Sequence, residues 1–326
     1  MAEIKKLAVF TSGGDAPGMN AAIRAVVRAS IHYGKEVCGI IKGYEGMVDG
    51  NFMPMDSHSV SNIIQRGGTI LKSARSERFK TKEGRESAYQ HLKKNNIDAL
   101  VAIGGDGTFT GAHIFHKEYG IPVVGIPGTI DNDLYGTDYT IGYDTAINTA
   151  VEAIDKIRDT ADSHDRLFFV EVMGRDAGLI ALRCGIAGGA EAILVPETKT
   201  DVDKVIKILA KGWQHHKSSS IVVVAEGDQI GGAIKLAEMV KEKFDYYDTR
   251  VSILGHMQRG GNPSTQDRVM ASRMGVAAVE ALINGRSDVM VGIVHKDVNY
   301  TPLENAVKYN LEINKNLLQL AEILAG

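Results

Sequence analysis

Short apolar runs alternate with longer amphipathic ones along most of the chain. The runs Lys6–Phe10, Val37–Ile41, Asp98–Ile103, Pro122–Ile126, Leu167–Val172, Ala192–Val195, Ile221–Ala225, Val251–Leu254 and Val289–Val294 are brief and nearly continuous in apolar character. That is the pattern of strands covered on both faces. Between Tyr143 and Thr160, the residues Ala146, Ile147, Ala150, Val151, Ile154 and Ile157 recur with a period of about 3.6, which predicts an amphipathic helix. Pro17 is expected just inside the start of an early helix, where its missing N–H costs nothing. Such strand–helix alternation predicts the α/β class, with mostly parallel sheets covered by helices on both faces. In sheets of that kind ligands bind at the carboxyl ends of the strands, so the residues just after each strand are the place to look for chemistry.

Length adds that one core will not suffice. At 326 residues the chain exceeds the size at which a single hydrophobic core stops growing. Two lobes with a cleft between them are expected, with a break near Thr137–Ile141 ahead of the long helix. A formal net charge of -3 offers no basic face for nucleic acid, so any anion must be held by local basic groups. Cys38 and Cys184 lie far apart and form no C-x-x-C pair, which predicts neither a disulfide framework nor a thiolate metal site. No secretory h-region precedes the first strand and no apolar run approaches a membrane span, so a reducing cytoplasm is the expected location.

Chemistry concentrates in glycine-rich strand ends. Thr11-Ser12-Gly13-Gly14-Asp15-Ala16-Pro17-Gly18 follows the first strand, and Gly104-Gly105-Asp106-Gly107-Thr108 follows Asp98–Ile103. Glycine lets backbone N–H groups approach a phosphate closely, and a helix N-terminus favours negative charge. One such loop could be merely a tight turn; two at strand-to-helix junctions favour phosphate binding. Neither matches G-x-x-x-x-G-K-[ST] or G-x-G-x-x-G, which disfavours a P-loop or an ordinary dinucleotide site. An Asp inside such a loop repels phosphate unless a cation bridges them, and Mg²⁺ prefers one or two carboxylates plus substrate phosphates. Asp106 is therefore the candidate metal ligand, with a helix N-cap as its competing role. A third strand end reads Pro127-Gly128-Thr129-Ile130-Asp131-Asn132-Asp133. Its two carboxylates suit acid–base work on a hydroxyl nucleophile, although Asp-Asn-Asp also suits a turn.

Basic groups follow other strands, in Met173-Gly174-Arg175 and in His256-Met257-Gln258-Arg259-Gly260-Gly261. Arg166 and Arg250 instead precede those strands. A residue at the start of a strand sits at the opposite edge from one at its end. Arg166 and Arg250 therefore cannot serve the same site as Arg175 and Arg259 within one subunit; they are surface charges or act on a neighbouring subunit. Glu226 ends its strand, where it could accept hydrogen bonds from sugar hydroxyls or remain a solvated charge.

Taken in order, GGDG, PGTIDND, VEVMGR and LGHMQRGG resemble the bacterial ATP-dependent 6-phosphofructokinases, and the likeness runs from TSGGDAPGMNAAIRAVVR to DRVMASRMG. The resemblance implies two Rossmann-like lobes with the active site in the cleft. It assigns 1–138 plus about 252–304 to ATP and 139–251 plus about 305–326 to the sugar phosphate. The implied reaction is transfer from MgATP to the 1-hydroxyl of fructose 6-phosphate. Asp131 matches the general base, with Thr129 and Asp133 beside it, and Asp106 matches the Mg²⁺ ligand. Arg75 and Arg175 match arginines near the moving phosphoryl group. Gly14, Tyr44, Arg75, Ser76, Gly105, Asp106, Gly107 and Thr108 match the ATP pocket, with Ser76 where an aromatic or cysteine is common. Thr129, Asp131, Met173, Gly174, Arg175, Glu226, His256 and Arg259 match sugar-phosphate contacts within a subunit. Arg166 and Arg250 match contacts from the neighbouring subunit of a homotetramer. Pyrophosphate-dependent relatives carry Asp where this chain has Gly107 and Lys where it has Gly128, so the donor is read as ATP.

For regulation, Arg24, Arg28, Arg158, Glu191 and Lys217 match a site for an ADP or phosphoenolpyruvate effector. Ser57 replaces an effector-binding arginine, and His215 and Ser218 interrupt the lysine-rich stretch Gln214-His215-His216-Lys217-Ser218, so weak or absent control is expected. The competing functions are another GGDG-type small-molecule kinase, such as those acting on NAD or diacylglycerol, and a non-catalytic nucleotide sensor on the same fold.

Overall fold

The computed structural model describes residues 3–164, 166–215, 217, 219–309 and 313–324. Along the chain run β1 (Lys6–Thr11), α1 (Met19–His32), β2 (Glu36–Ile40), α2 (Gly43–Asp49), β3 (Phe52–Met55), α3 (Lys82–Lys94), β4 (Ala99–Gly104), α4 (Asp106–Tyr119) and β5 (Val123–Pro127). They are followed by α5 (Tyr143–Asp162), β6 (Arg166–Val172), α6 (Leu179–Ala187), β7 (Ala192–Leu194), α7 (Val202–Gln214), β8 (Ser220–Ala225), α8 (Ala233–Lys243) and β9 (Asp248–Ile253). Last come α9 (Thr265–Ile283), β10 (Val289–Val294), β11 (Asp297–Pro302), α10 (Leu303–Lys308) and α11 (Lys315–Leu324). The chain divides into two units, Met1–Thr145 with Arg259–Leu311 and Ala146–Gln258 with Glu312–Gly326.

In the first unit the strands form one sheet in the order β11-β10-β5-β4-β1-β2-β3. From β10 to β2 the pairs are parallel; β3 and β11 add antiparallel edges. The apolar runs are continuous because both faces are covered. Ala8, Phe10, Leu100 and Ala102 join one core cluster with Tyr44 of α2 and Phe109 and Phe115 of α4. Leu7, Val9 and Val101 alternate with them and are equally buried on the opposite face, the side of α1 and α9. Burying each of the phenylalanines contributes roughly 1.5–3 kcal/mol. The second unit holds a fully parallel sheet, β7-β8-β6-β9. Leu167, Phe169, Val222 and Val224 pack there against Val205 and Leu209 of α7 and Leu236 and Val240 of α8.

Several expected boundaries move. Pro17 lies ahead of α1, which opens at Met19 after Gly18 at φ 110. The chain turns there through a left-handed residue, and a Cβ on Gly18 would stand 2.6 Å from Ile141 Cγ2. β9 starts at Asp248, so Arg250 lies within that strand and not before it; pairing of Arg166 with Asp248 extends the ladder. Cys38 and Cys184 are free and buried, and burial pushes the Cys38 thiol up to about 11. Among the described residues no helix is long and apolar enough to cross a membrane.

Candidate active site

Strand order in the first unit brings the three glycine-rich loops together. β1 pairs with β4 and β4 with β5, all parallel, so the loops that follow them emerge side by side at one sheet edge. Ser12 N–H donates to the Ile103 carbonyl at 3.0 Å and Gly128 N–H to the Gly104 carbonyl at 2.9 Å. Gly104 is needed for this close approach, since a Cβ there would stand 2.5 Å from the Ser12 carbonyl and would run into the Thr108 hydroxyl. Gly105 follows directly, and Asp106 is the first residue of α4.

Asp106 is exposed, and a Cβ on neighbouring Gly107 would meet nothing within 4 Å. Among the described residues no group of three or more His, Cys, Asp or Glu could cage a metal. The donor set here is thus fewer than three such groups, with the Asp106 carboxylate at a helix N-terminus. It fits Mg²⁺, which completes its shell with water and substrate phosphates, and it does not fit a cation held by protein alone.

The segment after β5 is a built turn. Asn132 adopts φ 53 and is buried; its side chain donates to the Asp138 carbonyl at 3.2 Å and accepts from Thr140 N–H at 2.6 Å. The turn role considered for Asp-Asn-Asp therefore belongs to Asn132, and it fixes the carboxylate before it. Asp131 is 4% exposed; its N–H donates to Thr129 Oγ1 at 3.2 Å, and that hydroxyl reaches Asp131 Oδ2 at 3.3 Å. Thr140 Oγ1 donates to the Thr129 carbonyl at 2.6 Å. Thr129 Cβ also lies 3.7 Å from the Cβ position of Gly105, which joins the third loop to the second. Asp133 is half-buried.

Around these loops the first unit supplies supports. Tyr44 is buried against Phe79, with ring centroids 4.0 Å apart, and its hydroxyl donates to the Thr108 carbonyl at 2.5 Å. It thus holds the first turn of α4 from the core side. Ser73 Oγ donates to the Gly13 carbonyl at 2.5 Å, and Ser76 Oγ to Glu45 Oε2 at 2.5 Å. Arg75, exposed, is carried between these two anchors. The Ser76 hydroxyl, and then Arg78, hold the Glu45 carboxyl below its usual range. Arg259 donates to the Asp15 carbonyl at 3.2 Å, and a Cβ on Gly14 would stand 2.6 Å from its Nη1. Glycine at position 14 therefore makes room for the Arg259 guanidinium.

The second unit gathers Met173, Gly174, Arg175 and Glu226. Glu226 accepts from Gly174 N–H at 3.3 Å and Arg175 N–H at 2.8 Å. His256 is exposed. Arg166 opens β6 and pairs with Asp248 at 2.9 Å, and Asp248 also pairs with Arg250 at 2.7 Å. These arginines share the amino-terminal part of the sheet, whereas Met173–Arg175 follows the carboxyl end of β6.

Of the effector candidates, Arg24 and Arg28 stand one turn apart on α1, where burial, and then Arg28, lower the Arg24 pKa. In the second unit Arg158 donates to the carbonyls of Gly188 and Gly189 at 2.5 and 2.8 Å, and Lys217 pairs with buried Glu191 at 2.6 Å. His216 and Ser218 lie outside the described residues.

Two site residues escape sequence reasoning. Gln258, fully buried, accepts from Met173 N–H at 2.9 Å. Asp267, also buried, accepts from Gly142 N–H at 2.8 Å and Thr145 N–H at 2.9 Å and anchors the chain beyond the Asn132 turn. Their only sequence signal is a polar residue inside a motif, the Gln of HMQRGG and the Asp of DRVMASRMG.

The phosphofructokinase family model matches residues 6–282. Over 323 residues the chain is 58% identical to an ATP-dependent 6-phosphofructokinase of Cytophaga hutchinsonii, covering 99% of this chain and 98% of that one. It is 59% identical over 322 residues to ATP-dependent 6-phosphofructokinase 1 of Thermus thermophilus, covering 99% and 100%. The structure of phosphofructokinase from Saccharomyces cerevisiae aligns with a TM-score of 0.87 at 38% identity, covering 98% of this chain and 46% of the longer yeast chain.

Proposed function

Because this chain belongs to the phosphofructokinase family, we propose that it transfers the terminal phosphoryl group of ATP to the 1-hydroxyl of fructose 6-phosphate. The products are fructose 1,6-bisphosphate and ADP, and the step is a committed one in glycolysis. The observation that carries the reading is the adjacency of the loops after β1, β4 and β5 on one sheet edge. One of them bears a carboxylate at a helix start and another a buried carboxylate. Buried Asp131 accepts the proton of the attacking hydroxyl, and Thr129 orients that carboxylate. Backbone N–H groups of the glycine loops, with Arg75 and Arg175, receive the charge of the moving group. Asp106 would hold Mg²⁺, which neutralises phosphate charge when bound. Met173, Gly174, Glu226, His256 and Arg259 take the sugar phosphate. A coupled assay of ATP consumption, with fructose 6-phosphate against other sugar phosphates, NAD and diacylglycerol, tests the assignment. Turnover confined to another acceptor, or absent with all of them, would overturn it.

Arg166 and Arg250 lie at the far end of β6 and β9 from the Met173 turn, which supports their service to a neighbouring subunit in a homotetramer. Arg250→Ala is then expected to raise the KM for fructose 6-phosphate by about 10- to 100-fold, the loss of a charge-assisted contact. Mixed oligomers of Arg250→Ala and Asp131→Ser subunits should regain part of the native affinity, since each supplies what the other lacks. No recovery would place Arg250 in its own subunit's site.

Control by effectors is expected to be weak. Ser57 stands where an arginine would bind phosphate, Arg158 is engaged by two carbonyls, and Lys217 by Glu191. Saturation curves for fructose 6-phosphate should barely change with millimolar ADP or phosphoenolpyruvate. A large sigmoidal shift would contradict this. A cytoplasmic location goes with the same reading.

A further inference from the structure

Resting on that reading, we propose that Gln258 is a positioning residue for the sugar-phosphate turn: its side-chain oxygen, together with Glu226, locks the backbone of Met173–Arg175 in the form that presents Arg175. Three successive backbone N–H groups in this turn are taken by two side chains from distant segments. Gln258 Oε1 accepts from Met173 at 2.9 Å, and Glu226 Oε1 accepts from Gly174 at 3.3 Å and Arg175 at 2.8 Å. The turn requires such hold. Arg175 sits at φ 52 and Gly174 at φ 148, and a non-glycine residue stays in the left-handed region only where its surroundings over-determine it. Gly227 packs so closely behind that a Cβ there would run into the Arg175 carbonyl.

Gln258 carries a penalty for this service. It is 0% exposed, and its Nε2 has no hydrogen-bond partner among the described residues. The Met173 N–H fixes which end of the amide faces it, because only the oxygen can accept. A buried donor without a partner is unfavourable and calls for a reason. An apolar side chain of similar volume would fill the space without that penalty but could not accept from Met173. A glutamate would supply the oxygen at the risk of burying a charge. An oxygen acceptor of this reach is what the turn requires, and in the amide the idle Nε2 comes with it.

The test uses the full-length protein with Gln258→Leu and Gln258→Glu. Hydrogen exchange of the peptide spanning Val172–Arg175 is followed without substrate, and kcat and both KM values are measured alongside. Gln258→Leu should speed exchange at Met173 by about tenfold or more and raise the KM for fructose 6-phosphate by about tenfold. The KM for ATP should stay within about twofold of native. Gln258→Glu, which keeps an oxygen in place, should recover most of both effects. Native exchange and native KM in Gln258→Leu would overturn the proposal. So would parallel loss of kcat and both KM values with a lowered Tm, the mark of general destabilisation. If Gln258→Leu fails to fold, Gln258→Asn carries the same expectation, since it withdraws the oxygen while remaining an amide. The exchange readout needs no substrate. An unmodified enzyme inactive on fructose 6-phosphate would therefore overturn the assigned reaction, while Met173 protection would still decide the role of Gln258.

Discussion

Asp131→Ser should lower turnover by at least a hundred- to thousandfold, while the KM for fructose 6-phosphate stays within about threefold of native. In the proposed reaction this carboxylate takes the proton of the attacking hydroxyl. Its burial, at 4% exposure, keeps water from substituting for it. The backbone around it does not depend on the carboxylate. Asn132 secures the turn through Thr140 and Asp138, and the residue 131 N–H to Thr129 Oγ1 bond survives the substitution. The effect should therefore fall on kcat and not on folding. Steady-state kinetics with a thermal melt would check it; native turnover in the variant would remove Asp131 from the chemistry.

Gly107→Asp should raise the KM for ATP by roughly ten- to a hundredfold and leave Tm unchanged. The fold gives no reason for glycine here. A Cβ would meet nothing within 4 Å, the residue lies in the first turn of α4, and an acidic side chain there suits the helix dipole. The open space is where nucleotide phosphates would run. Two like charges about 4 Å apart near a protein surface repel by about 4 kcal/mol, and a third of that is already about tenfold in affinity. Gly104 makes the contrast. A Cβ there collides with Thr108 and the Ser12 carbonyl, so substitution at that position should lower Tm as well. An unchanged KM for ATP in Gly107→Asp would mean that the nucleotide phosphates lie elsewhere.

Much of this architecture was legible because the signals are local. Ala99–Ile103 and Ile221–Ala225 read as strands from unbroken apolar character, and both are buried strands. The helix predicted over Tyr143–Thr160 runs Tyr143–Asp162, with Ala146, Ala150 and Ile154 on its buried face. The two edge strands of the first sheet, β3 and β11, were not legible. β3 carries Pro54, which can be accommodated only at a sheet edge. β10 and β11 form a hairpin whose two-residue turn is His295-Lys296, at φ 49 and 77. Turns of that geometry usually announce themselves by Asn-Gly or Asp-Gly, and here cross-strand pairing imposes it on residues that do not favour it.

By itself the sequence picked out the residues proposed to bear the chemistry. The glycines, Asp106, Thr129, Asp131 and the arginines are chosen for properties of single residues and short segments, and those properties can be read one position at a time. Tertiary structure alone decided what those residues touch. Arg259 reaches the backbone beside Gly14 across 244 positions, Gln258 holds Met173 across 85, and Asp267 holds Gly142 across 125. Such contacts exist only because parallel strands far apart in the chain are zipped into a sheet within each unit. The free energy that closes those long loops comes from burying both sheet faces, and no short stretch of sequence carries it.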